Sequence, residues 1–236
     1  MKVLNLYAGI GGNRKLWEDV EVTAVEKDPE IAEVYRHYFP NDELIVGDAH
    51  QYLLEHYKEF ENGFIWSSRP CVTHTRMNVN FNRVRYPDFG LYEEIVFLNT
   101  WHKGKFTAEN VIPYYGNEGL GIPGVPVQQY HRHLFWCNFK IRTTDKSNPP
   151  KQIANIEAQK TKKKRHFGGH YNNGDIMTLK KSVPRFGFDL SDVSFTASRK
   201  DAVLRNCVDP EIGLMILNCA RNIITKQNVN QLDFFE

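Results

Sequence analysis

The chain has 236 residues, 41% hydrophobic and 25% charged, which are the values of an ordinary globular protein with a sizeable core. Its formal net charge of +2 identifies no partner by itself. The four cysteines form no CxxC pair and no Cys/His cluster at zinc spacing, so no metal is expected. No apolar run is long enough to cross a membrane, and the apolar start is too short for an export signal, so reduced thiols in the cytoplasm are expected.

The first 70 residues alternate between strand and helix patterns, with short loops between them. Strands are predicted at 2–6, 20–25, 44–46 and 63–67, with helices through Leu16 and Trp17, over 30–38 and over 51–60. This alternation predicts an α/β fold with a doubly wound, Rossmann-like parallel sheet. Because ligands of such sheets bind at the carboxyl ends of the strands, the residues at those ends are the candidates for chemistry.

The first three predicted strands end in residues suited to a nucleotide-like ligand. A glycine-rich turn over 7–12 follows the first strand and would let a ligand approach the backbone, although a tight βα connection gives the same pattern. Glu26, at the end of the second strand, is placed to bind ribose hydroxyls. Asp48, at the end of the third, could accept from an adenine amino group and could also cap the next helix.

The next strand ends carry a thiol and a carboxylate. Cys71 follows Pro70 directly after the fourth strand, where it reads either as a nucleophile or as a buried structural thiol. A helix is predicted over 91–101 and a short strand over 106–108, which ends in Glu109 and Asn110. Arg132 begins an apolar strand that runs to Phe139.

Two basic stretches interrupt this pattern, and a helix closes it. Residues 75–87 form a basic loop after the thiol, and we expect it to be mobile. A lysine-rich run over 160–165 precedes glycines, aromatics and amides, which favours contact with phosphates and bases, although a charge run is more often a solvated face. Residues 201–224 have helical periodicity.

Taken in chain order, these residues resemble the DNA (cytosine-5)-methyltransferase family, over most of 3–139 and then 201–220. The glycine-rich turn resembles the motif that cradles S-adenosylmethionine. Pro70-Cys71 resembles the catalytic Pro-Cys pair, and Glu109-Asn110-Val111 resembles the Glu-Asn-Val motif. Arg132 stands where a Gln-x-Arg-x-Arg motif that starts at Gln128 would end. Asn206-Cys207-Val208 resembles the last motif, which packs a C-terminal helix against the cofactor pocket.

The resemblance implies a short, phage-type DNA modification enzyme in the cytoplasm of a bacterial host, acting as a monomer without a membrane partner. It would transfer a methyl group from S-adenosylmethionine to a flipped-out cytosine through a covalent bond between Cys71 and C6. The implied site residues are Cys71, Glu109, Arg132, Pro70 and Asn110 for catalysis; Tyr7, Ala8, Gly9, Ile10, Gly11, Gly12, Glu26, Lys27, Asp48, Ala49, Arg69, Leu91, Asn206 and Val208 for the cofactor; and Arg76, Arg83, Arg85, Lys162, Lys163, Lys164 and Arg165 for DNA.

The implied organisation has three parts. They are a catalytic and cofactor-binding domain over 1–140, a small basic target-recognition region over 141–190, and a C-terminal segment over 191–236 whose helix returns to the catalytic domain. The recognition region is shorter than the family's.

The sequence also departs from the family at single positions, which leaves alternatives open. Tyr130 stands where the first Arg of the Gln-x-Arg-x-Arg motif belongs, and Arg69 stands where the family has an apolar residue before the Pro-Cys pair. An arginine there would suit a carboxylate, so transfer of a carboxymethyl group from carboxy-S-adenosylmethionine is one alternative. An RNA cytosine-5 methyltransferase and a non-catalytic DNA-binding relic are the others. A cysteine hydrolase is disfavoured, since only His74 lies near Cys71 in sequence.

Overall fold

The computed structural model describes residues 1–116, 120–143, 151–153 and 186–223. The strands in those ranges are β1 (Lys2–Leu6), β2 (Glu21–Glu26), β3 (Glu43–Val46), β4 (Phe64–Ser67), β5 (Lys105–Val111), β6 (Val127–Tyr130), β7 (His133–Cys137) and β8 (Lys151–Ile153). The helices are α1 (Pro29–Tyr38), α2 (Ala49–His56), α3 (Met77–Asn80), α4 (Gly90–Trp101), α5 (Ala197–Asn206) and α6 (Pro210–Ala220), with short 3₁₀ turns at Tyr57–Phe60 and Cys71–Thr73. None of these helices is long and apolar enough to cross a membrane.

The strands form one mixed sheet in the order β3-β2-β1-β4-β5-β7-β6-β8. The first five are parallel, which confirms the predicted α/β doubly wound fold. β7 then runs antiparallel to β5, and β6 pairs antiparallel with both β7 and β8. Sequence periodicity predicted one strand in this half, over 132–139. The hairpin partner β6 was missed because its four residues are polar at the centre.

Apolar side chains cover both faces of the sheet, as a doubly wound fold requires. One cluster joins Val3 and Phe64 of the sheet to Ile212 and Ile216 of α6. The cluster on the other face includes Leu4, Ile65 and Phe106 of the sheet, Leu53 of α2, and Leu91, Ile95 and Leu98 of α4. The last helix therefore packs against the same sheet as the first strands. The predicted three-part division stays a prediction, because most of 141–190 lies outside the described residues.

The helix predicted after β1 is wrong. Residues 9–16 form successive turns instead, with hydrogen bonds from Gly11 N to Ala8 O and from Arg14 N to Gly11 O. The side chain of Asn13 turns inward and donates to Asn5 Oδ1 at 2.8 Å, so the chain is tied to the sheet. A Cβ on Gly213 would lie 2.1 Å from the carbonyl oxygen of Asn13, so α6 packs directly against this turn.

The single helix predicted over 201–224 is also wrong, because two helices lie there. The first ends at Asn206, and the second begins at Pro210 with Asp209 as its N-cap. Proline has no N–H to donate and fits only the first turn of a helix, so it separates the two.

Candidate active site at the carboxyl edge of the sheet

The candidate site lies where the strand order reverses, between β1 and β4. The loops that follow these strands leave the sheet side by side: Ser68 N donates to Leu6 O at 3.3 Å, and the Arg69 guanidinium donates to the Tyr7 hydroxyl at 2.7 Å. The glycine-rich turn and the Pro70-Cys71 segment, predicted separately from the sequence, therefore meet at one edge.

The glycine-rich turn is shaped by positive backbone angles. Tyr7 and Gly9 both have φ of 56°, and Gly11 has φ of 85°. Space is open where a Cβ on Gly9 would project, whereas a Cβ on Gly12 would lie 2.5 Å from the Val208 carbonyl oxygen. The turn is therefore open beside Gly9 and closed beside Gly12. Ile10 is 1% exposed and belongs to the core, so only its backbone could face a ligand.

The segment after α5 closes the other side of this turn. Cys207 and Val208 are buried against Gly12, so the C-terminal segment packs against the glycine-rich turn. Asn206 is the exposed last residue of α5.

The acids of β2 and β3 are held by backbone N–H groups. Glu26 accepts from Gly9 N at 2.8 Å and from Asp28 N at 2.9 Å, so it braces the glycine turn. Asp48 caps α2, accepting from the N–H groups of His50 and Gln51, and the bond from Gln51 with the neighbouring Lys27 holds the pKa of Asp48 below its ordinary value. The capping role of Asp48 is thus observed, and the adenine contact stays a prediction.

Three more of the predicted cofactor residues are buried. Ala8, Ala49 and Leu91 are buried in the apolar clusters on the two faces of the sheet. Their contacts with a cofactor stay predictions.

Arg69 does not project as a free cation. Its Nε donates to Asp88 Oδ2 at 2.9 Å, and a terminal nitrogen donates to Glu94 and to the Tyr7 hydroxyl. Glu94 lies on α4 and is fully buried. It also accepts from Ser67 Oγ at 2.8 Å, contacts His50 Nδ1 at 3.0 Å and accepts from the Tyr7 hydroxyl. Burial, together with the charge of Glu94, raises the pKa of Tyr7.

Glu94 was missed by the sequence reasoning, although a signal was present. Leu91, Ile95 and Leu98 form the apolar stripe of α4, and position 94 lies on that same stripe. A carboxylate at such a position is buried and needs partners. Its partners come from three separate strand ends, so they could not be named from local sequence.

Cys71 opens the 3₁₀ turn after Pro70, and its thiol is half-buried. Burial raises its pKa above the ordinary value, and the negative charge of Glu109 raises it further, while Arg132 opposes both. Because a thiolate is far more reactive than a thiol, this environment favours the less reactive form of Cys71.

The end of β5 connects to this loop through two side chains. Asn110 Nδ2 donates to the carbonyl of Arg69 at 2.9 Å, which fixes the backbone just before Pro70. The buried Glu109 accepts from Ser68 Oγ at 3.0 Å and pairs with His133 Nδ1. Neither Ser68 nor His133 was predicted, because no motif contains them.

The basic loop after the thiol contains one short helix, α3. Arg76 is half-buried, whereas Arg83 and Arg85 are exposed beside Phe81, Val84 and Tyr86, with Val84 95% and Tyr86 92% exposed. His74 is buried and contacts the Tyr115 hydroxyl at 2.8 Å, so its role is internal. Arg132 is exposed at the turn before β7. The four basic residues predicted to bind DNA at 162–165 lie outside the described residues.

Comparisons with known proteins agree with this architecture. No protein-family model and no curated protein matches the chain. Among solved structures, the methyltransferase EhMeth of Entamoeba histolytica is similar over 96% of this chain and 99% of its own, with a TM-score of 0.59 and 10% identity. The chain has the α/β methyltransferase fold.

Two other solved structures have lower TM-scores, although their sequence identities are higher. A DNMT2 variant of Spodoptera frugiperda aligns with 70% of the chain at a TM-score of 0.42 and 21% identity, and the chain spans only 53% of its length. A candidate DNA modification methyltransferase encoded within an E. coli prophage aligns with 58% of the chain at a TM-score of 0.38 and 18% identity, over 45% of its own length. At these identities a likeness concerns the fold, so the reaction has to be argued from the site.

Proposed function

We propose that this chain is a DNA cytosine C5 methyltransferase that uses S-adenosylmethionine and a covalent intermediate on Cys71. The observation that carries the proposal is the pairing of the Pro70-Cys71 loop with the end of β5. Asn110 holds the loop backbone at 2.9 Å, and Glu109 is bound to Ser68 of the same loop at 3.0 Å. A thiol and a carboxylate at one strand-end edge are the groups that activation of cytosine C5 requires.

The chemistry follows from the weak nucleophilicity of cytosine C5. The Cys71 thiolate adds to C6, which forms an S–C6 bond and makes C5 electron-rich. Glu109 accepts from the 4-amino group and delivers a proton to N3, which neutralises the negative charge that the addition places on the ring, while Arg132 holds the O2 edge. C5 would take the methyl group as the bond between that group and the sulfonium sulfur of the cofactor breaks, after which a base removes the C5 proton and the S–C6 bond breaks, which restores the Cys71 thiolate.

The glycine turn and its neighbours fit S-adenosylmethionine. The backbone beside Gly9 is open, and Glu26 and Asp48 stand at the ends of β2 and β3 on the same edge. When bound there, S-adenosylmethionine supplies an electrophilic methyl group. Glu26 would take the ribose hydroxyls and Asp48 the adenine amino group.

A target cytosine inside a duplex has to leave the stack before Cys71 can reach C6. The loop over 75–87 suits this task, since it follows Cys71 directly and carries exposed arginines beside exposed aromatic side chains. Arg83 and Arg85 would hold phosphates, and Phe81 or Tyr86 would fill the space that the base leaves.

Carboxymethyl transfer is less well supported than methyl transfer. The Arg69 guanidinium that would bind the extra carboxylate is already paired with Asp88 and Glu94. No observation favours an RNA substrate or a non-catalytic relic. Each is an outcome of the test below.

The test is nucleoside mass spectrometry after incubation of the protein with S-adenosylmethionine and either DNA or RNA. We expect 5-methylcytosine in DNA from the intact protein and none from the Cys71→Ala variant. The matched control is Cys219→Ala, because Cys219 is also half-buried but lies on α6. DNA with 5-fluorocytosine should form a covalent adduct with the intact protein, since fluorine cannot leave as a proton does. Product in RNA alone, carboxymethylcytosine formed with carboxy-S-adenosylmethionine, or equal activity of Cys71→Ala would each refute the proposal.

A further inference from the structure

We propose that His133, together with Ser68, is a positioning residue that fixes the carboxylate of Glu109 for the incoming base. This inference rests on the proposed function, because it assigns a role to Glu109 in that reaction. Neither His133 nor Ser68 belongs to any of the motifs by which this sequence resembles the DNA (cytosine-5)-methyltransferases. Both contact Glu109 directly, one from each side of β5.

The strand register brings His133 to Glu109. In the antiparallel pair of β5 and β7, His133 lies opposite Val111 and Phe135 lies opposite Glu109. Residues two apart on one strand point to the same face, so the His133 ring stands diagonally across from the Glu109 side chain.

A chain of donors on the other side sets the direction of the Ser68 bond. Trp66 Nε1–H can only donate, and it donates to Ser68 Oγ at 2.6 Å. The single hydroxyl hydrogen of Ser68 is therefore free to point at Glu109 Oε2, 3.0 Å away. This oxygen is held by a donor whose own orientation is fixed by a buried indole.

Arg132 sets the tautomer of His133. Its Nε–H, which also can only donate, faces His133 Nε2 at 3.4 Å, so Nε2 acts as the acceptor and Nδ1 carries the hydrogen. Nδ1–H then donates to Glu109 Oε1. Both oxygens of the carboxylate are thus held by donors, and both side chains of the pair are largely shielded from water, at 13% and 8% exposure.

This arrangement fixes the plane of the carboxyl group and leaves the second lone pair of each oxygen for the base, one to carry the proton that passes to N3 and one to accept from the 4-amino group. A buried carboxylate without such donors would rotate freely about its last torsion, and reactive geometry is lost with displacements of about 1 Å. The expected consequence concerns the rate of the chemical step more than substrate binding.

The experiment compares His133→Ala, His133→Asn and His133→Gln under steady-state conditions, with nucleoside mass spectrometry as the readout. Asn places an N–H close to the position of Nδ1, whereas Gln places it near Nε2. We expect kcat to fall by about 100-fold in His133→Ala and His133→Gln with KM for DNA little changed, and His133→Asn to recover most of the loss. A merely structural role in the β5–β7 pair would not distinguish Asn from Gln.

A double-mutant cycle with Ser68→Ala separates positioning from simple destabilisation. Because both donors act on one carboxylate, the combined loss in kcat should be smaller than the product of the single losses. Equal activity of His133→Ala and the intact protein, or equal recovery by Asn and Gln, would overturn the assignment. If the intact protein makes no 5-methylcytosine at all, then the proposed function fails instead, and the two failures are distinguishable.

Discussion

The side chain of Asn110 donates a hydrogen bond of 2.9 Å to the backbone carbonyl of Arg69, the residue that precedes Pro70 and Cys71. One amide on β5 therefore holds the loop that presents the thiol, although the two segments are 41 residues apart in the chain. The strand order makes this possible, because β4 and β5 are parallel neighbours and their carboxyl ends lie side by side.

Removal of this amide should slow the reaction without loss of cofactor binding. In Asn110→Ala the Arg69 carbonyl loses its donor, which costs about 1–3 kcal/mol in loop placement. We expect kcat to fall by about 10- to 100-fold, with the dissociation constant for S-adenosylmethionine unchanged in titration calorimetry. Asn110→Asp, which keeps the shape but cannot donate, should behave like the alanine variant. An aspartate variant with normal kcat would show that the bond does not hold the loop.

Loss of the buried carboxylate on α4 should destabilise the whole fold. Glu94→Gln leaves Arg69 with only the partly exposed Asp88 as an ionic partner, and breaking a buried pair from one side costs about 3–5 kcal/mol. Thermal unfolding is the measurement. Glu93→Gln is the matched control, since its side chain is on the exposed face of the same helix, and we expect a change within about 0.5 kcal/mol. Similar melting temperatures for both variants would contradict the prediction.

Alkylation of Cys71 should report its environment as a function of pH. Burial and the charge of Glu109 raise the pKa of this thiol, so the neutral form is favoured by the fold and reactivity with iodoacetamide should rise only above the ordinary thiol pKa of about 8.5. Because the pKa of Cys71 is higher in the folded than in the unfolded protein, this thiol favours the folded state at pH values below the ordinary thiol pKa. That contribution to the free energy of unfolding is lost as the pH rises through the pKa of the folded protein. In a Cys219→Ala background, peptide mass spectrometry measures the alkylated fraction of Cys71.

The same assay tests the causes of that shift separately. Glu109→Gln removes the negative charge and should move the alkylation midpoint to lower pH, whereas Arg132→Gln removes the opposing positive charge and should move it to higher pH. Shifts in the same direction for both variants would show that charge does not control the thiol.

The two ends of the glycine turn should respond differently to an added methyl group. In Gly12→Ala the new Cβ would lie 2.5 Å from the Val208 backbone, so the turn and the C-terminal segment have to separate. We expect loss of S-adenosylmethionine binding and a lower melting temperature. In Gly9→Ala only the positive φ is strained, at a cost of about 1–2 kcal/mol, because the space is open. A comparable fall in melting temperature in both variants would contradict the packing of Gly12 against Val208.

Much of this site could be predicted from local patterns, because strands are short and their ends carry the chemistry. Cys71, Glu109 and Glu26 were placed at strand ends by periodicity, and the structure brings the strand ends that carry them to one edge. Ser68, Glu94 and His133 could not be predicted in the same way. Each acts through a partner on another element, and strand register and helix rotation, which no local pattern contains, decide those contacts.

The helix that was wrongly predicted after β1 shows that a local pattern can also suggest an element that the fold does not contain. The sequence after Gly12 is compatible with a helix. In the structure α6 packs directly against this segment, where Gly213 contacts the backbone of Asn13. Tertiary packing overrides a weak local preference.

The contact between α6 and the glycine-rich turn also has a consequence for the order of folding during synthesis. Strand β1 and the glycine turn are among the first residues to leave the ribosome, yet Gly12 and Asn13 are packed against Cys207, Val208 and Gly213, which are made near the end. A nascent chain that stops before Val208 would lack the packing against Gly12 and Asn13 even after every strand of the described sheet has been made. Competence to bind S-adenosylmethionine should therefore arise late and abruptly in translation, once α6 has emerged.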